Sequence, residues 1–134
     1  MKRNLSVLVV DDHPGIRTGL ADILEAEGFV VATASSGKEA INEHKKENYD
    51  VVLMDVRMPD ISGIEVYRRI YRHSTVTRVI MMSAYPAKDL EREILLEGAS
   101  VVAFLQKPLD VELMLRLIRR TGQPPTAIGN DYSK

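Results

Sequence analysis

Short apolar runs alternate along this chain with longer segments whose apolar positions recur every three or four residues. The runs are Leu5 to Val10 (interrupted only by Ser6), Phe29 to Thr33, Val51 to Met54, Val79 to Met82 and Val101 to Leu105. Unbroken runs of this length read as strands buried on both faces of a parallel sheet. Between the first two, Ile16, Leu20, Ile23 and Leu24 fall at i, i+4, i+7 and i+8, and Gly28 suits the end of that helix. Ser35 or Ser36 can cap a helix over 38–47 whose inner face carries Ala40, Ile41 and His44. Ile64, Tyr67, Ile70 and Tyr71 mark a third helix, with Arg68, Arg69 and Arg72 on its wet side. Pro86 suits the first turn of a fourth, which carries Leu90, Ile94 and Leu95 and stops at Gly98. Asp110 can cap a fifth, with Val111, Met114, Leu115 and Ile118 as its core stripe. From Gly122 the residues turn to Gly, Pro, Thr and Asn, so 1–121 read as one domain and 122–134 as a tail or linker stub.

Five strands alternating with five helices predict an α/β fold: a five-stranded parallel sheet, doubly wound, with helices on both faces. Right-handed crossovers and one reversal of winding set the ends of the first and third strands side by side, in the flavodoxin-like order 2-1-3-4-5. Ligands bind such sheets at the carboxyl ends of the strands. Those ends are where this chain keeps its chemistry.

The first strand runs into Asp11 and Asp12, the third into Asp55 and the fourth into Ser83, and Lys107 follows the fifth. Converging carboxylates repel, by about 4 kcal/mol for one pair at 4 Å and an effective dielectric near 20. A cation must neutralise them. All-carboxylate donors favour a hard ion, and Mg²⁺, which shares its sphere with phosphate oxygens, fits best. A metal, an ammonium and a hydroxyl around one carboxylate would cradle a phosphoryl group and stabilise its transfer, with the carboxylate as nucleophile.

Composition narrows the field without changing this picture. The 134 residues are 45% hydrophobic and 28% charged, the balance of a globular domain. No Cys is present, which excludes disulfides, thiolate metal sites and cysteine nucleophiles. The net charge of −1, from 18 Lys plus Arg against 19 Asp plus Glu, gives no electrostatic footprint for nucleic acid. No apolar run approaches the ~20 residues of a membrane span, and the brief apolar start ends in two acids, so a cytoplasmic protein is expected.

Four segments together resemble the receiver domain of two-component response regulators, from about Leu5 to Arg120: Val-Val-Asp-Asp at 9–12, Leu-Met-Asp-Val-Arg-Met-Pro-Asp-Ile-Ser-Gly at 53–63, Met-Ser-Ala at 82–84 and Leu-Gln-Lys-Pro at 105–108. By position, the resemblance implies that Asp55 is the phosphoacceptor and that Asp11 and Asp12 are metal-site acids, with the backbone carbonyl of Arg57 as a further ligand. It also implies that Ser83 is the switch hydroxyl, Lys107 the phosphate-pairing lysine and Phe104 the aromatic switch residue. The implied donor is a sensor histidine kinase or a histidine phosphotransfer protein, and the implied output is a changed face formed by the fourth helix, fifth strand and fifth helix, read by a downstream protein or output domain. Two features depart from the family pattern. The connection from Gly98-Ala99 to Lys107 is slightly longer, and position 57 carries a long cation.

Other readings of the same residues are blander. Asp60 suits a turn, His13 a solvated turn, and His44 and His73 a helix flank, while the methionines at 54, 58, 81 and 82 are packing. A metal-dependent phosphohydrolase with an Asp nucleophile would want an acid two residues later, where Arg57 stands. A nucleotide or flavin binder would want a Gly-rich first turn, where Asp11-Asp12-His13-Pro14-Gly15 has a single Gly. A receiver-like interaction module that is never phosphorylated has no use for the complete acid, hydroxyl and lysine set. The expected product is therefore a conformational state, and the expected protein is a switch rather than a turnover enzyme.

Overall fold

The computed structural model describes residues 4–74, 76–84 and 103–121. Strands β1 (Ser6–Val10), β2 (Val30–Ala34), β3 (Val51–Asp55), β4 (Arg78–Ser83) and β5 (Ala103–Gln106) form one parallel sheet in the order β2-β1-β3-β4-β5. Helices α1 (Pro14–Ala26), α2 (Gly37–Lys46), α3 (Gly63–His73) and α4 (Val111–Thr121) connect and cover it. The helix expected over 86–98, the connection from Gly98 into β5 and the tail from Gly122 lie outside the described residues.

The strand pleat sends alternate residues to opposite faces and so divides the core in two. Leu8, Val10, Val52, Met54 and Met81 pack with Ala40, Ile41, Val66, Tyr67 and Ile70 from α2 and α3. Val7, Val9, Leu53, Ile80 and Met82 pack with Leu20 and Leu24 of α1 and with Met114, Leu115 and Ile118 of α4. All five residues of β3 are buried, which is why that run shows no alternation in the sequence. Each of its large apolar side chains contributes about 1.5–3 kcal/mol by burial. At the sheet edge β2 leaves Val30 exposed.

The start of α1 and the burial of His44 differ from the sequence expectation, while Gly28 ends α1 as expected. α1 begins at Pro14 rather than Ile16, because a proline at the first helical position gives up an N–H that has no helical partner anyway. Gly28 closes α1 with φ 93°, a backbone conformation that favours glycine. His44 is not a flank residue: it is buried, and its Nε2 lies 2.8 Å from Thr77 Oγ1. Gly63 opens α3 where a Cβ would sit 2.8 Å from the carbonyl oxygen of Asp55. That close approach sets α3 directly against the end of β3 and fixes the loop between them.

Candidate functional site

β1 and β3 are neighbours paired in register, Val10 with Met54, so Asp11 and Asp55 leave the sheet side by side. Asp11 is fully buried, and each of its polar groups has a partner. Its N–H donates to the carbonyl of Ala34 (3.2 Å) and its carbonyl accepts from Arg17 Nη1 (2.8 Å). Its Oδ1 accepts from the backbone N–H of His13 (2.9 Å) and its Oδ2 from Lys107 Nζ (2.9 Å). Asp55 Oδ1 accepts from the N–H of Arg57 (3.0 Å), and Asp55 Oδ2 accepts from the same Lys107 Nζ (2.9 Å). Lys107 is delivered by β5: its N–H donates to the carbonyl of Ser83 at 2.7 Å, which joins the ends of the fourth and fifth strands.

One ammonium thus bridges two buried carboxylates. Burial opposes the charge on Lys107, but its hydrogen bonds and charge interactions with Asp11 and Asp55 outweigh that and raise its pKa above the ordinary lysine value. The lysine does not serve Asp12, whose Oδ1 is buried without a hydrogen-bond partner. Ligand atoms of Asp11, Asp12, His13 and Asp55 all lie within 4.8 Å of one another. Three carboxylates around one lysine, with an Asp12 oxygen that accepts no hydrogen bond, leave a deficit of positive charge that a hard divalent cation fits.

The pocket opens into a cleft of about 510 Å³ whose lining includes Asp12, His13, Ile16, Arg57, Met58 and Ala84. Arg57 is exposed at its rim. Ser83 is buried at the end of β4, one residue beyond Met82, the partner of Asp55. Phe104 pairs with Met81 in β5 and packs, half-buried, against the core on the α2 and α3 side. The structure therefore brings Asp11, Asp12, Asp55 and Lys107 into one cluster, with Ser83 adjoining it and Phe104 three residues before Lys107.

Two participants escape the sequence reading. His13, expected as a solvated turn residue, holds Nδ1 3.3 Å from both Asp11 Oδ1 and Asp12 Oδ1. Arg17 reaches back from α1 to the acid loop. The signal for both was Pro14: a helix that starts there holds its first turn against the acid pair.

The sequence profile of the response regulator receiver domain matches residues 7–119. The chain belongs to the response regulator receiver family. It is 34% identical over 116 residues to the chemotaxis protein CheY of Bacillus subtilis, covering 86% of this chain and 95% of that protein. It is 37% identical over 118 residues to the transcriptional activator protein ExaE of Pseudomonas putida, covering 87% of this chain but 54% of ExaE. Other curated relatives are longer still, and the chain spans 25% of the Escherichia coli regulatory protein AtoC. The crystal structure of Vibrio cholerae CheY4 superposes with a TM-score of 0.81 at 30% identity, covering 89% of this chain and 99% of that one. The Thermotoga maritima response regulator TrrA, in complex with Mg²⁺ and BeF, superposes at 0.77 with 29% identity, covering 87% and 98%. Receiver domains are signalling switches rather than turnover enzymes, served by histidine kinases or phosphotransfer proteins. Among the described residues of this receiver, no helix is long and apolar enough to cross a membrane.

Proposed function

We propose that Asp55 is the phosphoacceptor of a phosphorylation-dependent switch, charged by a histidine kinase or histidine phosphotransfer protein in a Mg²⁺-dependent reaction. The observation that carries this reading is the shared lysine: Lys107 Nζ stands 2.9 Å from both Asp55 and Asp11, beside an Asp12 oxygen with no hydrogen-bond partner. Asp11, Asp12, Asp55 and the backbone carbonyl of Arg57 would hold the metal, which supplies positive charge against the phosphoryl oxygens. An Asp55 oxygen forms the new bond to phosphorus as the bond to the donor breaks, and the donor keeps that electron pair. Lys107 then exchanges a carboxylate partner for a phosphoryl oxygen, and the Ser83 hydroxyl donates to another. Drawing Ser83 toward the phosphoryl vacates space beside Phe104. That ring turns inward, and the face formed by residues 86–98, β5 and α4 changes shape. With Phe in place of a tyrosine at 104, the readout is packing rather than a switched hydroxyl.

On this reading residues 1–121 are the receiver, 122–134 are a tail or linker stub, and the output is a docked protein or a further domain. No nucleic acid contacts this domain, and it works in the cytoplasm beside its donors. An Asp-nucleophile phosphohydrolase lacks its acid, because position 57 is an exposed Arg. The test is incubation with a small acyl phosphate, with mass measured on the intact protein. One phosphoryl group is expected with Mg²⁺ and none with chelator or in Asp55→Asn. Labelling that survives in Asp55→Asn overturns the assignment.

A further inference from the structure

We infer that His13 is an imidazole ligand of the acid pocket, and that it extends the pocket's metal preference from hard Mg²⁺ toward borderline divalent ions such as Co²⁺ and Zn²⁺. The inference rests on the reading above that this pocket holds a divalent cation. Its starting point is distance. Ligands at about 2.1 Å from an octahedral ion, in adjacent positions, lie about 3 Å from one another. His13 Nδ1 is 3.3 Å from Asp11 Oδ1 and 3.3 Å from Asp12 Oδ1, close to that spacing on two sides at once. Asp55 completes a set of four donors within 4.8 Å.

Three further observations point the ring inward. His13 is the N-cap residue of α1, yet its side chain makes no capping hydrogen bond, so Nδ1 is not committed to the helix. Its own N–H donates to Asp11 Oδ1 at 2.9 Å and Pro14 follows it, which pins the backbone that carries the ring. The buried Asp12 Oδ1 beside it lacks a hydrogen-bond partner, and a cation between the two satisfies both groups. The ring itself is two-thirds exposed, with a side-chain accessibility of 66%, so it turns to a metal with Nε2–H still in water.

Imidazole nitrogen adds little for Mg²⁺, which prefers oxygen donors and keeps its waters, and adds most along the series from Mn²⁺ to Cu²⁺ and Zn²⁺. A histidine that merely held the carboxylates, or donated to a metal-bound water, would serve every divalent ion alike. Discrimination between ions is therefore the signature of direct ligation.

The experiment is calorimetric titration of the whole chain with Mg²⁺ alone and with Co²⁺ alone, for the wild type, His13→Ala and His13→Gln, with the visible absorption of the Co²⁺ forms recorded alongside. Gln retains a hydrogen-bond donor and loses the imidazole. Both variants are expected to lose about tenfold or more in Co²⁺ affinity and less than about threefold for Mg²⁺, with a shifted Co²⁺ absorption band. Equal losses for both ions, or His13→Gln matching the wild type for Co²⁺, overturn ligation while leaving the Mg²⁺ pocket standing. A wild-type chain that binds neither ion overturns the pocket and this inference together.

Discussion

At the amino end of the sheet, Asp50 Oδ2 accepts from both the N–H and the hydroxyl of Ser6, at 2.9 and 3.1 Å. Nearby, Thr77 Oγ1 gives its one proton to the carbonyl of Tyr49 (2.9 Å) and so accepts from His44 Nε2 at 2.8 Å. At the carboxyl end, about as many polar groups crowd around one lysine and stay short of positive charge. The same strands carry both sets. His44 Nδ1 is buried without a hydrogen-bond partner, but the other polar groups named at the amino end are matched within the chain, so they hold α2, β1, β3 and β4 in place. At the carboxyl end Asp11 and Asp55 share a single ammonium, and the buried Asp12 oxygen gains its match only when something arrives. Stability is built at one end of the sheet and responsiveness at the other.

Substitutions at the two ends should therefore answer differently to metal. The largest effect is expected from Gly63→Ala, whose Cβ meets backbone 2.8–2.9 Å away at Asp55 and Val56. Rigid backbone cannot yield as a side chain does, so the variant should lose about 3 kcal/mol by chemical denaturation and phosphorylate poorly. Lys107→Ala strands two buried carboxylates and should cost about 1–3 kcal/mol without metal. Mg²⁺ should recover most of that loss, because the ion takes over the lysine's role. Thr77→Val leaves His44 and the Tyr49 carbonyl unsatisfied and should cost about the same, with no recovery in Mg²⁺. Melting each variant with and without Mg²⁺ separates the two ends, and recovery of both to the same extent would erase the distinction.

A gentler probe is pH. Burial, and then the neighbouring His73, lower the pKa of His44 below the ordinary histidine value of 6.5. The unfolded chain therefore binds that proton more readily than the folded one. His44 contributes fully above pH 6.5, and its contribution is lost as pH falls through the lower folded value. The melting temperature should decline over that window, and His44→Gln should flatten the decline. Smallest is Asp60→Ala. Desolvation is the largest single influence on Asp60 and opposes its charge, but backbone N–H groups, led by those of Lys38 and Gly37 at 2.9 and 3.1 Å, together hold its carboxyl below the usual range. Its removal should cost about 1 kcal/mol above pH 4 and nothing once acid has protonated the group.

Strand ends were legible because a buried parallel strand writes itself as an apolar run, and the residue that breaks the run is the one delivered to the sheet edge. Asp11, Asp55 and Ser83 were placed at the sheet edge in this way, and Lys107 one residue beyond the break at Gln106. His44 was harder: the helical stripe put it on the inner face while its polarity suggested a flank, and only Thr77, 33 residues away, resolves the conflict. Asp60 reads locally as a turn residue, yet its hydrogen bonds reach α2, more than 20 residues earlier in the chain. Arg17 and His13 depended on where α1 starts, and helix starts are the least certain part of a periodicity reading. What pattern alone withholds is the partner that lies far along the chain.

The central claim, that the deficit of positive charge at the carboxyl end exists to receive a phosphoryl group on Asp55, is tested most directly by chemical trapping. Borohydride reduces an acyl phosphate of aspartate to homoserine, and peptide mapping then reads its position. After incubation with a small acyl phosphate and Mg²⁺, homoserine should replace aspartate at position 55 and at no other position, and chelator should prevent it. Homoserine at another aspartate, or a phosphoryl group that borohydride leaves untouched, would contradict the account.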